Sequence, residues 1–361
     1  MSTQEKNFLA PPTQTTSTGS GKDLPNLDML RAVAVCCVLY SHIAAALRMP
    51  VNGQWWGAFG VAIFFVHTSL VLMWSLERRP NTLDFYVRRI ARIYPLAMVV
   101  VLIAVLTHAP VGVYAETGSF FNYYAPSWKQ VLTHMLLVQN LFSGNFIVYP
   151  MWSLPFEVQM YALLPALYFF MRKNMALWPL LLFWLLAAAF AHQAFETRQL
   201  NLAVAVPYFV PGLMAYIGFS RRKAVLPGWS FAIALAVIIW VGGHAGNWQR
   251  AWWPCLALGL ALPSFRQLRP SWWTKVCWQV ARYSYGIYLM HPFAIVLGFY
   301  VCRGRSWPVQ FAVMFASLAV FSLAAFHLIE SPLMKLGAKA AVVAARRFKM
   351  PIRTDLDAQN P

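Results

Sequence analysis

The chain has 361 residues, of which 60% are hydrophobic, 16% aromatic and only 11% charged. Because a soluble globular domain carries about 25% charged residues, this composition excludes that class and predicts an all-α polytopic membrane protein. The net charge of +18 would indicate nucleic-acid binding in a soluble chain. In a membrane protein, basic loops that set the orientation account for that charge, so we expect the lipid bilayer, and no nucleic acid, as a partner.

The two ends of the chain differ from the apolar part between them. Residues 1–24 are polar, rich in Ser, Thr, Pro and Gly, and lack the apolar stretch of a signal peptide. We expect them to form a disordered cytoplasmic tail. Residues 341–361 are first basic and then polar. We expect a second cytoplasmic tail there, which leaves a membrane domain over 25–340.

Ten apolar segments approach the length of about 20 residues that crosses a bilayer. They lie near residues 27–47, 57–76, 93–109, 153–171, 175–193, 200–219, 229–243, 251–264, 281–300 and 308–329. An eleventh segment, 131–142, has about twelve residues and contains His134, Gln139 and Asn140. It is therefore either a short span or a re-entrant or interfacial piece.

Loop charge decides between these topologies, because Lys and Arg are enriched in cytoplasmic loops. The loop between the second and third segments carries five arginines over 78–92. If 131–142 crosses the membrane, the later basic clusters fall on the opposite side from that loop; if it does not, they fall on the same side. The sequence thus predicts about ten spans, both termini in the cytoplasm, and an external loop over 110–152 that partly dips into the protein.

The first span, LDMLRAVAVCCVLYSHIAAAL, carries Arg31 and His42 eleven residues apart. At about 100° per residue the two side chains share nearly one azimuth, and the helix rise separates them by roughly 16 Å, about half a bilayer core. Ionisable residues in membrane helices are costly and suggest function. An imidazole is a natural general base for an acceptor hydroxyl or amine, whereas an isolated membrane histidine commonly serves as an interhelical hydrogen-bonding group.

A second pattern is the basic segment FYVRRIARIYP, near the start of the third span. Arg89 and Arg92 lie three residues apart and share a helix face, and Arg88 flanks them. These arginines form either a guanidinium clamp for the phosphates of a cytoplasmic ligand or an anchor on anionic lipid headgroups. The pattern alone slightly favours the anchor.

Glu157 is the only acid in the stretch YPMWSLPFEVQMYALLPALYFF. A lone carboxylate at membrane depth is either paired or protonated. We interpret it as an acid/base or orienting group. The alternative is a capping carboxylate or the partner of an arginine in the bundle.

The remaining ionisable residues have ordinary structural explanations. His291 in YSYGIYLMHP and Glu330 in HLIESP lie in the last two spans, and the proline after His291 indicates a kink. Other histidines, among them His67 and His134, are expected in the core or in loops. The five cysteines have no metal or disulfide spacing, so we expect no metal site.

Taken in order, six motifs make the chain resemble the membrane acyltransferase family 3 over about residues 24–340. These motifs are LDMLRAVAVCCVLYSH, GVAIFFVHTSLVL, FYVRRIARIYPL, MWSLPFEVQMYALLP, YSYGIYLMHP and HLIESPLMKL. Each is weak alone, whereas six in the right order and spacing form a strong signal. One departs from the pattern: members often have Ser-Gly-Phe where this chain has His67-Thr68-Ser69, which bears on helix packing and substrate shape.

The resemblance implies an O-acetyltransferase-like enzyme in the inner (cell) membrane of a bacterium. Such an enzyme moves an acyl group, often acetyl, from acyl-CoA to a hydroxyl of a carbohydrate or glycan acceptor. The resemblance also implies that Arg89 and Arg92, with Arg88, hold the phosphates of the donor. Arg31 would then orient the pantetheine arm or polarise the thioester.

For the acceptor side, the resemblance implies that His42 removes the proton from the attacking hydroxyl. Glu157 would orient His42 or hold the acceptor. A transporter or flippase for a lipid-linked glycan is the alternative, because it shares the polytopic fold and the charges at membrane depth. A transporter would more often show inverted internal repeats, and the sequence shows no such internal similarity.

Overall fold

The computed structural model of the protein describes residues 24–49, 53–113, 120–123, 125–142, 145–171, 176–196 and 201–347. Its helices are α1 (Pro25–Ala46), α2 (Gly53–Arg78), α3 (Thr82–Thr107), α4 (Trp128–Met135), α5 (Leu154–Met171), α6 (Leu177–Glu196), α7 (Asn201–Arg221), α8 (Gly228–Gly243), α9 (Trp248–Ala261), α10 (Trp272–Ile295), α11 (Trp307–Ala324) and α12 (Ser331–Arg347). A two-stranded antiparallel hairpin, β1 (Gly112–Val113) and β2 (Phe120–Asn122), follows α3. The predicted all-α polytopic fold is confirmed.

All ten predicted spans are helices, although they differ in length. Within the described parts of the chain, eight helical segments are long and apolar enough to cross a membrane. Helices α8 and α9 have only 16 and 14 residues. The predicted weak segment 131–142 contains the end of α4, which has eight residues, and the short 3-10 helix Gln139–Leu141. It therefore lacks the length of a span, as loop charge predicted.

Helix α2 lies at the centre of the bundle, packed against α1, α5, α7 and α8. Glycine permits its close approach to α1. A Cβ on Gly60 would lie 2.6 Å from the carbonyl oxygen of Ala34, and one on Gly57 would lie 2.7 Å from Cβ of Ser41. Small residues at such contacts let membrane helices approach closely. The helix that carries the predicted arginine and histidine is thus held between α2 and α10.

The departure at 67–69 does not prevent close packing, because α7 supplies the glycine. A Cβ on Gly212 would lie 2.0 Å from Oγ of Ser69 and 2.2 Å from the carbonyl oxygen of Val66. Ser69 is fully buried and its hydroxyl donates to the carbonyl oxygen of Phe209 at 2.7 Å. The hydroxyl in α2 therefore crosslinks the two helices where their backbones lie closest.

Helix α11 continues through a π-helical turn, Ala325–Glu330, into α12. Helix α12 packs along α3, where a Cβ on Gly337 would lie 2.3 Å from Cβ of Ala91. This contact places α12 beside the basic segment of α3. The predicted tail boundary after residue 340 falls inside α12, and the predicted limits of the membrane domain and tails remain predictions. Residues 1–23 and 348–361 lie outside the described residues.

The loop before α5 is anchored by two buried polar side chains. The Nδ1 of His134 donates to the carbonyl oxygen of Gln130 at 2.8 Å, and its Nε2 accepts from the backbone N–H of Ile147 at 3.2 Å. The amide of Gln139 donates to the carbonyl oxygen of Met151 at 2.8 Å. Burial lowers the pKa of His134 to about 4, so the ring stays neutral. The polar residues that weakened the span prediction therefore fasten this loop to the bundle.

Candidate functional site

Side chains from α1, α2, α3, α5 and α10 enclose a cavity of about 200 Å³. Its polar lining comes mainly from residues that the motifs had singled out. We call it the arginine cavity, after Arg31, Arg89 and Arg92. The other polar or aromatic lining residues include His67, Thr68, Ser153, Glu157, Tyr161, Ser284, Tyr285 and Tyr288.

The three arginines reach the arginine cavity from two helices. The Nε of Arg31 donates to Oγ of Ser284 in α10 at 2.6 Å, which fixes the stem of that side chain. An Nη of Arg92 lies 3.5 Å from the sulfur of Met334 in α12. The Nε of Arg89 is buried and has no hydrogen-bond partner among the described residues. Guanidinium groups with donors to spare are suited to a planar or polyvalent anion.

Arg88 does not share this cavity with its neighbours. Its Nε donates to both carboxylate oxygens of Asp84, at 2.9 and 2.8 Å. Asp84 lies one turn earlier in α3, where its backbone N–H donates to the side chain of Asn81, the helix cap. The predicted basic cluster is therefore divided: Arg89 and Arg92 line the cavity, and Arg88 is ion-paired at the start of the helix.

Glu157 supplies the only carboxylate among the residues that line the arginine cavity. It lies in the first turn of α5. One of its oxygens accepts a short hydrogen bond from the hydroxyl of Tyr161 and a longer one, at 3.3 Å, from the hydroxyl of Thr68. Against three guanidinium groups, a single carboxylate leaves the cavity with an excess of positive charge. That excess favours an anionic ligand.

His67 also lies in the cavity wall, although the sequence suggested only a core or loop histidine. It is 8% exposed, and Arg31 and Arg92 are the charged groups that act on it most strongly. Its place directly after the apolar run of α2, at the position that departs from the family pattern, was the signal that could have identified it. The imidazole therefore occupies part of the wall of the arginine cavity.

His42 lies apart from the arginine cavity and contacts His291 of α10. Its Nδ1 is 2.6 Å from Nε2 of His291. The ring of Tyr149 packs edge-on against His42, with the centroids 4.7 Å apart. We call His42 and His291 the histidine pair. Sequence reasoning had not predicted this contact, because the two residues are 249 positions apart.

Tyr288 lines the arginine cavity and also lies next to the histidine pair. It lines the cavity, and its ring centroid is 6.3 Å from that of His291. Its hydroxyl is 2.7 Å from Oγ of Ser153 and donates to the carbonyl oxygen of Pro150 at 2.5 Å. The arginine cavity and the histidine pair therefore share one tyrosine side chain as a neighbour.

Glu330 lies behind the arginine cavity, in the π-helical turn before α12. It is 2% exposed, and its Oε1 has no hydrogen-bond partner among the described residues. A Cβ on Gly286 would lie 3.3 Å from that oxygen, so a larger residue there would crowd the carboxyl group. Arg31 and Arg92 are the charges that act on it most strongly. Glu330 thus adds a second acidic group to the surroundings of the arginines.

The described residues contain no group of three or more His, Cys, Asp or Glu side chains placed to hold a metal ion. The polar groups of the site are instead guanidinium, imidazole, phenol and carboxyl groups. These can bind an anion and move a proton.

Comparison with known proteins agrees with this chemistry. The family model described as an acyltransferase domain matches residues 24–327. Nodulation protein 10 of Rhizobium leguminosarum bv. viciae is 27% identical over 362 aligned residues, which cover 89% of this chain and 95% of that protein.

Two further relatives match over shorter regions. Acyltransferase MdmB of Streptomyces mycarofaciens is 30% identical over 42% of this chain and 40% of its own length. Peptidoglycan O-acetyltransferase OatA of Listeria monocytogenes is 28% identical over 41% of this chain and 24% of its own length. No solved structure matches the chain.

Proposed function

The chain belongs to the membrane acyltransferase family 3, and on that premise we propose that it transfers an acyl group, acetyl in the first instance, from acyl-CoA to a carbohydrate hydroxyl. The observation that carries the proposal is the arginine cavity, in which three guanidinium groups face one carboxylate. A pocket of that charge suits a donor that bears phosphates.

The donor phosphates bind Arg89 and Arg92 in this proposal. Guanidinium groups bind phosphate in a bidentate manner that lysine does not reproduce. The unpartnered Nε of Arg89 supports this role, because a buried donor without a partner costs about 1–3 kcal/mol until a ligand supplies one. Arg31, fixed by Ser284, orients the thioester end. Arg88 retains Asp84 and supports the start of α3.

The reaction takes place beside His42. The acceptor hydroxyl attacks the thioester carbonyl carbon while Nε2 of His42 takes the hydroxyl proton. The tetrahedral intermediate then expels the sulfur, which receives that proton from the imidazolium. The C–S and O–H bonds break, a C–O bond and an S–H bond form, and the products are the ester and free coenzyme A. General-base catalysis of this kind contributes about 10²–10⁴ in rate.

Glu157 holds the acceptor or fixes the cavity wall in this proposal. Its carboxylate accepts hydrogen bonds from Tyr161 and Thr68, and it makes no hydrogen bond to His42 among the described residues. This arrangement supports a role in binding over a role in orienting the histidine.

The orientation of the protein in the membrane follows from loop charge. The arginine-rich segment over 78–92 and the later basic clusters lie on the cytoplasmic side in this proposal, as do both termini. Arg89 and Arg92 then face the compartment that holds acyl-CoA, and His42 lies toward the external side. The relative named as a peptidoglycan O-acetyltransferase supports a glycan acceptor, and we place the enzyme in the bacterial inner membrane.

Purified protein in liposomes, supplied with acetyl-CoA labelled in the acetyl group, tests the proposal. With a panel of glycan and lipid-linked sugar acceptors present, we expect label in an acceptor together with an equal amount of free thiol. Movement of a lipid-linked glycan across the bilayer without release of thiol would instead identify a flippase and overturn the proposal.

A further inference from the structure

The two rings of the histidine pair meet edge to edge. Their planes differ by 11°, and their centroids lie 4.7 Å apart. The nitrogen-to-nitrogen distance is 2.6 Å. Because the centroid distance exceeds the nitrogen distance by about one ring width, the rings lie nearly in one plane with the two nitrogens pointing at each other. The contact is therefore a hydrogen bond in the ring plane and not face-to-face stacking.

The backbone of α10 decides which nitrogen donates. The Nδ1 of His291 lies 3.1 Å from the carbonyl oxygen of Ile287, one turn earlier. A carbonyl oxygen only accepts, so Nδ1 of His291 carries the hydrogen. In a neutral imidazole the other nitrogen is then an acceptor. His291 is 1% exposed, and a positive charge buried there without a carboxylate partner would be costly. Its Nε2 therefore accepts the hydrogen bond.

This assignment fixes the tautomer of His42. Its Nδ1 must carry the hydrogen that His291 accepts, so its Nε2 bears a lone pair. No hydrogen bond among the described residues involves that Nε2. The residue keeps 7% of its surface exposed. The basic nitrogen of His42 is thus the one that does not face its partner.

We propose that His291 is a positioning residue, which holds His42 through the hydrogen bond between Nδ1 of His42 and Nε2 of His291 in the tautomer and orientation that leave Nε2 of His42 free to take the acceptor proton. This inference rests on the proposed function. When Nε2 takes the proton, the hydrogen bond from Nδ1 becomes charge-assisted and strengthens. His291 then stabilises the imidazolium without itself gaining or losing a proton.

The hydrogen bonds that link Ile287, His291 and His42 resemble the arrangement of a catalytic base whose second nitrogen is held by an orienting group. The orienting acceptor here is a neutral imidazole fixed by a main-chain carbonyl. A neutral acceptor suits this position, because a carboxylate there would bring a charge into an apolar region that the described residues do not otherwise compensate.

Two substitutions at one position test the inference in liposomes with acetyl-CoA as donor. His291→Leu removes the acceptor, and we expect kcat to fall about 100-fold while the KM for acetyl-CoA stays within twofold, since the arginine cavity is untouched. His291→Gln restores an acceptor oxygen near the position of Nε2 and an N–H near the carbonyl of Ile287. It should recover kcat to within about tenfold of wild type.

His327→Gln is the matched control, because this histidine is exposed in the π-helical turn after α11, and its hydrogen-bond and ring contacts among the described residues are to Tyr283 and Phe326. It should leave kcat unchanged. All variants are compared by the elution profile and thermal midpoint of the detergent-solubilised protein. A His291→Leu protein that fails to fold is replaced in the comparison by His291→Asn, whose short amide retains polarity but does not reach Nδ1 of His42, and the same loss is expected.

The outcomes separate this inference from the proposed function. Wild-type protein that transfers no acetyl group overturns the proposed function. Wild-type protein that is active, and that loses activity in His42→Ala but not in His291→Leu, overturns the positioning role alone. Equal losses in folded His291→Leu and His291→Gln also overturn it, because hydrogen-bond acceptance would then not be the property that matters.

Discussion

The arginine cavity and the histidine pair both include residues of α1 and α10, but they differ in how their polar groups are compensated. In the cavity, three guanidinium groups face one lining carboxylate around about 200 Å³ of space. In the histidine pair, two rings are 7% and 1% exposed and satisfy each other by a hydrogen bond. Buried charge is costly unless a counter-charge arrives, whereas two neutral hydrogen-bonded rings are cheap to bury. The difference indicates that the arginine cavity is suited to bind an anion and that the histidine pair holds a neutral proton acceptor.

The largest expected effect concerns proton transfer by the histidine pair. His42→Ala should lower kcat by about 10²–10⁴, because it removes the general base. The KM for acetyl-CoA should change little, since His42 does not line the arginine cavity. Initial rates of thiol release against donor concentration measure both constants. A fully active variant would remove His42 from the reaction.

The next largest effect concerns anion binding in the arginine cavity. Arg89→Ala should raise the KM for acetyl-CoA by about 10–100-fold with a smaller change in kcat, because a hydrogen bond to a charged group contributes about 1.5–3 kcal/mol. Arg88→Ala should raise it less, since Arg88 is bound to Asp84. Repeating the assay with S-acetylpantetheine, which lacks the phosphates, should abolish the difference between Arg89→Ala and wild type.

Arg250→Ala is the control for that series, because Arg250 is exposed at the start of α9 and far along the chain from α3. Its kinetic constants should match those of wild type. Equal KM values for Arg89→Ala and wild type with acetyl-CoA would return the basic segment to a lipid-anchoring role.

A third substitution tests whether the arginine cavity limits the length of the acyl chain. His67→Ser should raise the relative kcat/KM for butyryl-CoA over acetyl-CoA about tenfold, because the smaller side chain leaves room for further methylene groups, each worth about 0.8 kcal/mol when buried. Competition between the two donors at limiting acceptor measures the ratio. An unchanged ratio would show that the acyl chain lies elsewhere.

The smallest expected effect concerns stability in the loop before α5. Unfolded histidine binds a proton near pH 6.5, whereas the folded His134 stays neutral until about pH 4. The unfolded state thus binds more protons between these values, so stability is fully present above about pH 6.5 and is lost as the pH falls toward 4. The thermal midpoint should drop by a few degrees between pH 7 and pH 5, and by less in His134→Gln. An equal drop in both proteins would assign the pH dependence to other groups.

How far the sequence predicted these regions depends on how local their signals are. The lengths of the apolar segments predicted ten helices, and loop charge predicted that 131–142 does not cross the membrane. The structure has only short helices in that segment. Arg31, Arg89, Arg92 and Glu157 were predicted individually, because a charge in an apolar stretch is conspicuous without any knowledge of packing. The structure brings these four into one cavity, which the sequence could only suggest through spacing within a single helix.

The contacts that the sequence could not predict join distant helices. The spacing of Arg31 and His42 suggested one continuous face, but Arg31 lines the arginine cavity, whereas His42 lies outside that lining and pairs with His291 of α10. The partner of His42 is 249 residues away, and no pattern within one segment could identify it. Likewise, Arg88 looked like a member of the clamp, until the position of Asp84 one turn earlier divided the cluster.

The most direct test of the division between the two regions is a structure of the protein in lipid nanodiscs with coenzyme A bound. We expect phosphate oxygens within hydrogen-bonding distance of the guanidinium groups of Arg89 and Arg92. We also expect a pantetheine arm that runs past Arg31 toward Tyr288 and His42. Phosphates bound outside the arginine cavity, with Arg89 and Arg92 facing lipid headgroups, would contradict it.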